Sequence, residues 1–336
     1  MPNNKSPLLS VRDLSVSLAL RRGRPVPVLD GVSFDVVEGE VLGIVGESGC
    51  GKSLTALSIM RLLPRAAVVT GGNLLFQGRD LLRQSDSEMR AIRGNEIAMI
   101  FQEPMTSLNP VLTAGEQIIE AIIYHERISR AAARRRAIEV LNVVRIPSPE
   151  RRIDDYPHQM SGGMCQRVMI AMALATKPKL LIADEPTTAL DVTVQAQILK
   201  LLRELQSDIG MSIMIITHDL GVIADFADRV QVMYSGKVVE ESITPDLFDR
   251  PLHPYTEGLM RSITHIDEDV ARLHTIEGSV PPPGNWPIGC RFHPRCPYVT
   301  ASCTLAVPEL TERSPNHRVA CIRYDVTCEE LSHATR

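Results

Sequence analysis

The segment Gly46-Glu47-Ser48-Gly49-Cys50-Gly51-Lys52-Ser53 constrains this chain more than any other. It fits G-x-x-x-x-G-K-[ST], lies directly behind the apolar run Val41 to Val45, and leads into a helical pattern from Gly51 to about Leu63, which Pro64 should stop. Glycines there let backbone N–H groups turn inward around a polyphosphate, and the start of the following helix adds partial positive charge. Lys52 supplies a point charge to the β- and γ-phosphates, and the Ser53 hydroxyl suits Mg²⁺. Cys50 serves as a small residue in this loop.

A second apolar run, Leu180 to Ala183, ends in Asp184-Glu185. Asp184 is placed to hold Mg²⁺ through water, and Glu185, one residue on, to orient and polarise an attacking water. A short strand from Ile97 to Phe101 ends at Gln102, and another from Ser212 to Ile216 is followed by His218. With a helix from Val192 to about Leu205 between two of these strands, the pattern is βαβ and the sheet mainly parallel. Leu8 to Val45 instead alternates apolar and polar residues with turns at Arg22-Gly23 and Glu38-Gly39, which predicts a short antiparallel region. From Thr113 to Ile146 the period is helical, and Arg134-Arg135-Arg136 reads as a solvated helix face. The glycine-rich run Ser161-Gly162-Gly163-Met164-Cys165-Gln166-Arg167 opens a further helix.

The net charge of -4 argues against a general nucleic-acid-binding surface. No apolar run approaches the roughly 20 residues that span a bilayer, and Met1 to Pro7 lacks the apolar core of a secretory signal, so a membrane role is expected to be peripheral. Cysteine is unevenly placed. Cys50 and Cys165 sit inside the nucleotide motifs, whereas Cys290, Cys296, Cys303, Cys321 and Cys328 crowd the last fifth of the chain. Successive members of Cys290, Cys296, Cys303 and Cys321 are separated by five, six and seventeen residues, and Cys328 reads as a spare. Four thiolates can hold tetrahedral zinc or an iron–sulfur cluster, and plain reduced thiols remain the third option. The absence of close C-x₂₋₄-C pairs favours the cluster over zinc.

In order and spacing these motifs resemble the ABC (ATP-binding cassette) family. The resemblance implies an ATPase that works when two cassettes close face to face around ATP. Gln102 looks like the family's glutamine loop, which senses Mg²⁺ and the γ-phosphate and touches a membrane partner. Ser161-Gly162-Gly163 with Gln166 resembles the signature, which contacts the ATP held by the opposing cassette. Ala189-Leu190-Asp191 resembles the D-loop, and His218 the switch histidine that contacts the γ-phosphate. The family's adenine-stacking aromatic has no counterpart between Leu14 and Leu20. Leu18 occupies its place, and no base-binding residue is assigned. Met160 stands where the family usually has leucine, and Cys165 where a polar residue is common.

Gln102-Glu103-Pro104-Met105-Thr106-Ser107-Leu108-Asn109-Pro110, Tyr156-Pro157-His158-Gln159 and Pro251-Leu252-His253-Pro254-Tyr255-Thr256 narrow the likeness to ATPases of oligopeptide, dipeptide and nickel importers. Some of these carry a [4Fe–4S] cluster at matching cysteines, so the resemblance implies such a cluster here, as a structural staple. The expected fold is an α/β, ABC-type P-loop NTPase with a mainly parallel core sheet, an antiparallel β subdomain, a helical subdomain and a Cys-rich C-terminal extension. Residues 1–250 are expected to form the nucleotide-binding domain, with its helical part over about 103–165, and 251–336 the extension with the four-Cys cluster. Implied partners are a second ATPase subunit (a paralogue, making a heterodimer), two transmembrane permease subunits and a solute-binding protein. The implied place is the cytoplasmic face of the cell membrane. A soluble ABC protein working on ribosomes or DNA is the competing reading; it would need tandem cassettes or a long coiled-coil insertion, and the sequence has neither.

Overall fold

The computed structural model describes residues 6–19, 24–188, 190–262 and 275–325, with the side chains of Pro104 and Met105 left aside. The chain divides into two compact units of interleaved sequence. One comprises Val37–Glu40 and Arg83–Ile216; the other comprises Pro7–Val36, Val41–Leu82 and the described residues from Thr217 onward. Among the described residues no helix is long and apolar enough to cross a membrane.

The first unit is built on three parallel strands, Ile97–Ile100, Leu180–Asp184 and Ser212–Thr217, with Ile100 beside Ala183 and Ala183 beside Ile215. Every residue of these strands is buried. That explains their unbroken apolar sequences: a parallel strand covered on both faces has no polar side to alternate with. The expected helical stretch from Thr113 onward is two helices, Ala114–His125 and Arg130–Val143. Thr113 and Glu116 form a capping box on the first, and Ser129 caps the second. On the second helix Arg134 makes a two-bond fork to Asp154 at 2.8 and 2.7 Å and Arg136 reaches Glu126 at 2.7 Å, so two members of the basic triplet have partners. The helix Val192–Ile209 runs four residues further than its sequence pattern suggested and stops at Gly210, whose φ of 72° suits a left-handed C-cap.

In the second unit an antiparallel sheet pairs Val26–Val36 with Leu9–Leu18, then Ala67–Phe76, then Arg79–Asp80. The strand Val41–Val45 runs parallel to Arg229–Tyr234, which pairs antiparallel with Lys237–Ile243. The helix after the phosphate loop, Lys52–Ile59, ends before Pro64 because Arg61 takes a left-handed φ of 49° and closes the turn. In the tail, His317–Val319 pairs with Lys237–Ile243, and Thr311–Ser314 adds a further strand. His317 Nε2 meets the buried Glu240 carboxylate at 2.7 Å, and the same carboxylate accepts the N–H groups of Leu252 and His253.

Around this tail lies an aromatic core. Tyr234, Tyr255 and Phe292 pack with ring centroids between 4.6 and 5.5 Å apart, and His253 lies 5.8 Å from Phe292. His253 Nδ1 accepts the Tyr255 N–H at 3.1 Å, which needs an unprotonated nitrogen. Burial pushes the imidazole down from 6.5 to about 3. The unfolded chain takes up this proton below 6.5 and the folded chain does not until about 3, so stability is full above that window and falls as pH drops through it. We expect a loss of about 2 kcal/mol between pH 7 and pH 5 that His253→Asn lacks. Denaturant unfolding of both proteins at the two pH values checks it; identical pH dependence would refute the assignment.

Candidate nucleotide site

The loop that follows Val41–Val45 is possible only with glycine at its first bend. Gly46 has φ 152°, and a Cβ there would lie 2.2 Å from the Met233 carbonyl oxygen and 2.8 Å from Cys50 Sγ. Gly51 has φ 107° and sits in the N-cap position of the helix Lys52–Ile59. That helix has no side-chain cap and no acidic residue in its first turn. An anion is the natural partner for such an end. Lys52 is 5% exposed and folds back over the loop, its Nζ donating to the carbonyls of Gly46 at 2.6 Å and Glu47 at 3.2 Å. Cys50 is buried beneath the turn, as its small size suggested. Ser53, half-buried, is the second residue of the helix. Glycine turns, an uncapped helix start and an inward lysine together fit a Mg²⁺-bound nucleotide phosphate chain. In the same unit the exposed His218 directly follows the strand Ser212–Thr217, and Asp219 caps the next helix by accepting the N–H groups of Gly221 and Val222.

The other unit holds the carboxylates. Asp184, the last residue of its strand, is 5% exposed. Glu185 takes a left-handed φ of 47° while its N–H donates to the Ile216 carbonyl at 2.8 Å. A non-glycine residue in that region costs roughly 1–2 kcal/mol, so the surroundings must hold it there. Two side chains do: Gln102 Nε2 and Thr188 Oγ1 both donate to Glu185 Oε2, each at 2.9 Å. The glutamine and the carboxylate, 83 residues apart in sequence, thus meet directly.

The glycine-rich run is the start of the helix Gly162–Leu174. Ser161 caps it by accepting the Met164 N–H at 3.3 Å. A Cβ at Gly162 would meet nothing within 4 Å, whereas one at Gly163 would lie 3.1 Å from Val194. Gln166 is 1% exposed and donates to the Pro186 carbonyl at 2.6 Å. The side chain that resembled a nucleotide contact is therefore turned inward, joining the signature helix to the loop after Glu185. Cys165 is likewise buried, its Sγ at 3.4 Å from the Pro157 carbonyl. Asp191 caps the helix Val192–Ile209 through the Val194 N–H at 2.9 Å; Ala189 lies outside the described residues.

The expected metal cluster is overturned. Cys290, Cys296, Cys303 and Cys321 do line one hollow, together with His253 and His293, but its volume is only about 10 Å³. That is room for one water at most. Among the described residues no group of three or more His, Cys, Asp or Glu could hold a metal ion. Burial also raises Cys296 to about 11 and Cys321 to about 12, whereas a metal needs thiolates. Spacing brought the four residues to one place but could not reveal that the space between them is closed. The aromatic core and the Glu240–His317 pair hold this part of the tail instead. Cys328 lies outside the described residues.

Comparison with known proteins agrees with this geometry. Residues 29–188 match the family model "ABC transporter", and residues 239–303 match "Oligopeptide/dipeptide transporter, C-terminal region". The "Probable peptide ABC transporter ATP-binding protein y4tR" of Sinorhizobium fredii is 54% identical over 94% of this chain and 95% of its own length. The "Oligopeptide transport ATP-binding protein AppD" of Bacillus subtilis is 51% identical over 97% of this chain and its full length. A solved ATP-binding cassette, dimeric and bound to ADP and phosphate in a post-hydrolysis state, aligns with a TM-score of 0.63 at 31% identity, over 70% of this chain and 98% of its own. The chain belongs to the ABC transporter ATP-binding subunits of the oligopeptide and dipeptide importer family.

Proposed function

We propose that this chain is the ATP-hydrolysing subunit that powers import of di- or oligopeptides through a membrane ABC transporter. The observation that carries the proposal is the joining, in one chain, of the lysine-covered loop Gly46 to Ser53 with a C-terminal region of the oligopeptide and dipeptide type at 239–303. Mg²⁺, bound with the nucleotide, supplies charge neutralisation for phosphoryl transfer. Ser53 and Asp184 are the residues that would hold it, with Gln102 sensing it. Lys52 and the loop N–H groups orient the β- and γ-phosphates. Glu185 polarises the attacking water, and His218 contacts the γ-phosphate. Ser161, Gly162 and Gly163 present a helix N-terminus to the nucleotide of a second cassette, so this chain works as half of a pair. A paralogous ATPase subunit, two permease subunits and a solute-binding protein complete the assembly, at the cytoplasmic face of the membrane.

Uptake of a labelled dipeptide and a labelled oligopeptide by cells or vesicles carrying the full transporter tests this reading. Removing this chain is expected to reduce uptake to background, and a Lys52→Ala variant is expected not to restore it. Uptake of nickel or a glutathione-like solute, with peptides excluded, would replace the proposed substrate; uptake that is independent of this chain would overturn the function.

A further inference from the structure

Glu47 occupies one of the variable positions of the phosphate loop, yet it is tied from three directions. Its N–H donates to Tyr255 Oη at 2.8 Å, and its carbonyl accepts from Lys52 Nζ at 3.2 Å. Its carboxylate receives a two-bond fork from Arg295, at 2.7 and 3.0 Å. Arg295 belongs to the C-terminal extension, next to Cys296, and its side chain is 3% exposed. All five of its N–H donors are used. One terminal nitrogen serves Glu47 Oε2 and Tyr234 Oη at 3.3 Å, the other serves Glu47 Oε1 and the Ile276 carbonyl at 3.2 Å, and Nε serves the Glu277 carbonyl at 2.9 Å. A lysine has three donors and no planar fork, so it could not reproduce this set. A second arginine of the extension braces the loop from another side: Arg291, 7% exposed, donates to the Ser235 carbonyl at 2.5 Å, and the adjoining Gly236 N–H donates to the Cys50 carbonyl at 2.9 Å.

The chemistry of the loop explains why such a clamp matters. Its purpose is to receive phosphates, and an unpaired carboxylate in its first turn would repel them in a partly desolvated setting. We propose that Arg295 is a positioning residue for nucleotide binding, neutralising Glu47 and fixing the first turn of the loop, which makes the C-terminal extension a working part of the ATP site. This rests on reading Gly46 to Ser53 as the phosphate loop.

The test is titration of the full-length chain with a fluorescent ATP analogue and Mg²⁺, with a thermal melt of each variant. Arg295→Gln is expected to weaken binding about tenfold or more, and Arg295→Lys to weaken it less. Combining Arg295→Gln with Glu47→Gln is expected to recover most of the loss, because the charge that needed neutralising is gone. A purely structural arginine would leave the double variant as weak as the single and lower both melting temperatures alike. Binding by Arg295→Gln equal to wild type, or no recovery in the double variant, overturns the proposal. Where Arg295→Gln fails to fold, Arg295→Lys with and without Glu47→Gln carries the same comparison. Lys52→Ala separates the two levels of the reading: if it binds like wild type, the phosphate loop itself is misassigned, and if it abolishes binding while Arg295→Gln changes nothing, only the role of Arg295 fails.

Discussion

Glu185→Gln is expected to leave ATP binding within about threefold of wild type and to lower hydrolysis by at least 100-fold, the range that general-base assistance supplies. The substitution is nearly isosteric. Gln102 and Thr188 both donate to Glu185 Oε2, and an amide oxygen can accept the same two bonds, so the left-handed backbone at φ 47° keeps its supports. What disappears is the negative charge proposed to polarise water. Single-turnover hydrolysis by the assembled transporter, beside equilibrium binding of ATP, separates the two effects. Turnover within a few-fold of wild type would remove Glu185 from its role, and a parallel loss of binding would mean that the loop after Asp184 had rearranged.

The second large effect is expected at Gly162. A Cβ at this position meets nothing within 4 Å, and Gly162 is exposed at the N-terminus of its helix. An aspartate there is favourable for the helix itself, because a carboxylate suits a helix start. Gly162→Asp should therefore fold normally and, as an isolated chain, bind ATP as wild type does. In the assembled pair the new carboxylate would confront the phosphates held by the opposing cassette, and we expect hydrolysis to fall by about 100-fold or more. Normal hydrolysis in the assembled transporter would show that this helix start does not face a nucleotide. Weakened ATP binding by the isolated chain would show that it serves its own loop instead.

The parts of this site that sequence exposed are those whose chemistry is local. Glycines at 46 and 51, the lysine after them and the apolar strand before them lie within a few residues of one another, the carboxylate pair directly ends its own strand, and each obeys a short-range rule. Ser161 and Asp191 cap their helices by a rule of the same short range, since a capping side chain acts within three residues. The long-range partners stayed hidden. Arg295 and Tyr255 lie 248 and 208 residues from Glu47, and no periodicity or composition marks them. Gln166 came in with the signature resemblance, and its contact with the Pro186 carbonyl, 20 residues on, was likewise not legible. The cysteines failed for a different reason. Spacing states how far apart residues can be, whereas a metal site depends on the volume between them, and Cys290, Cys296, Cys303 and Cys321 surround almost none.

The interleaving of the chain carries a consequence for its synthesis. The strand Val41–Val45 takes its parallel neighbour from Arg229–Tyr234, the carbonyl that crowds Gly46 belongs to Met233, and the loop's remaining braces come from Tyr255 and Arg295. A ribosome therefore makes the phosphate loop early and its supports more than 180 residues later. At roughly 5–20 residues per second, the nascent loop waits on the order of ten seconds or more before it can take its final shape. A chain terminated before Arg295, however intact its glycines and lysine, lacks the fork on the Glu47 carboxylate that the last fifth of the protein provides.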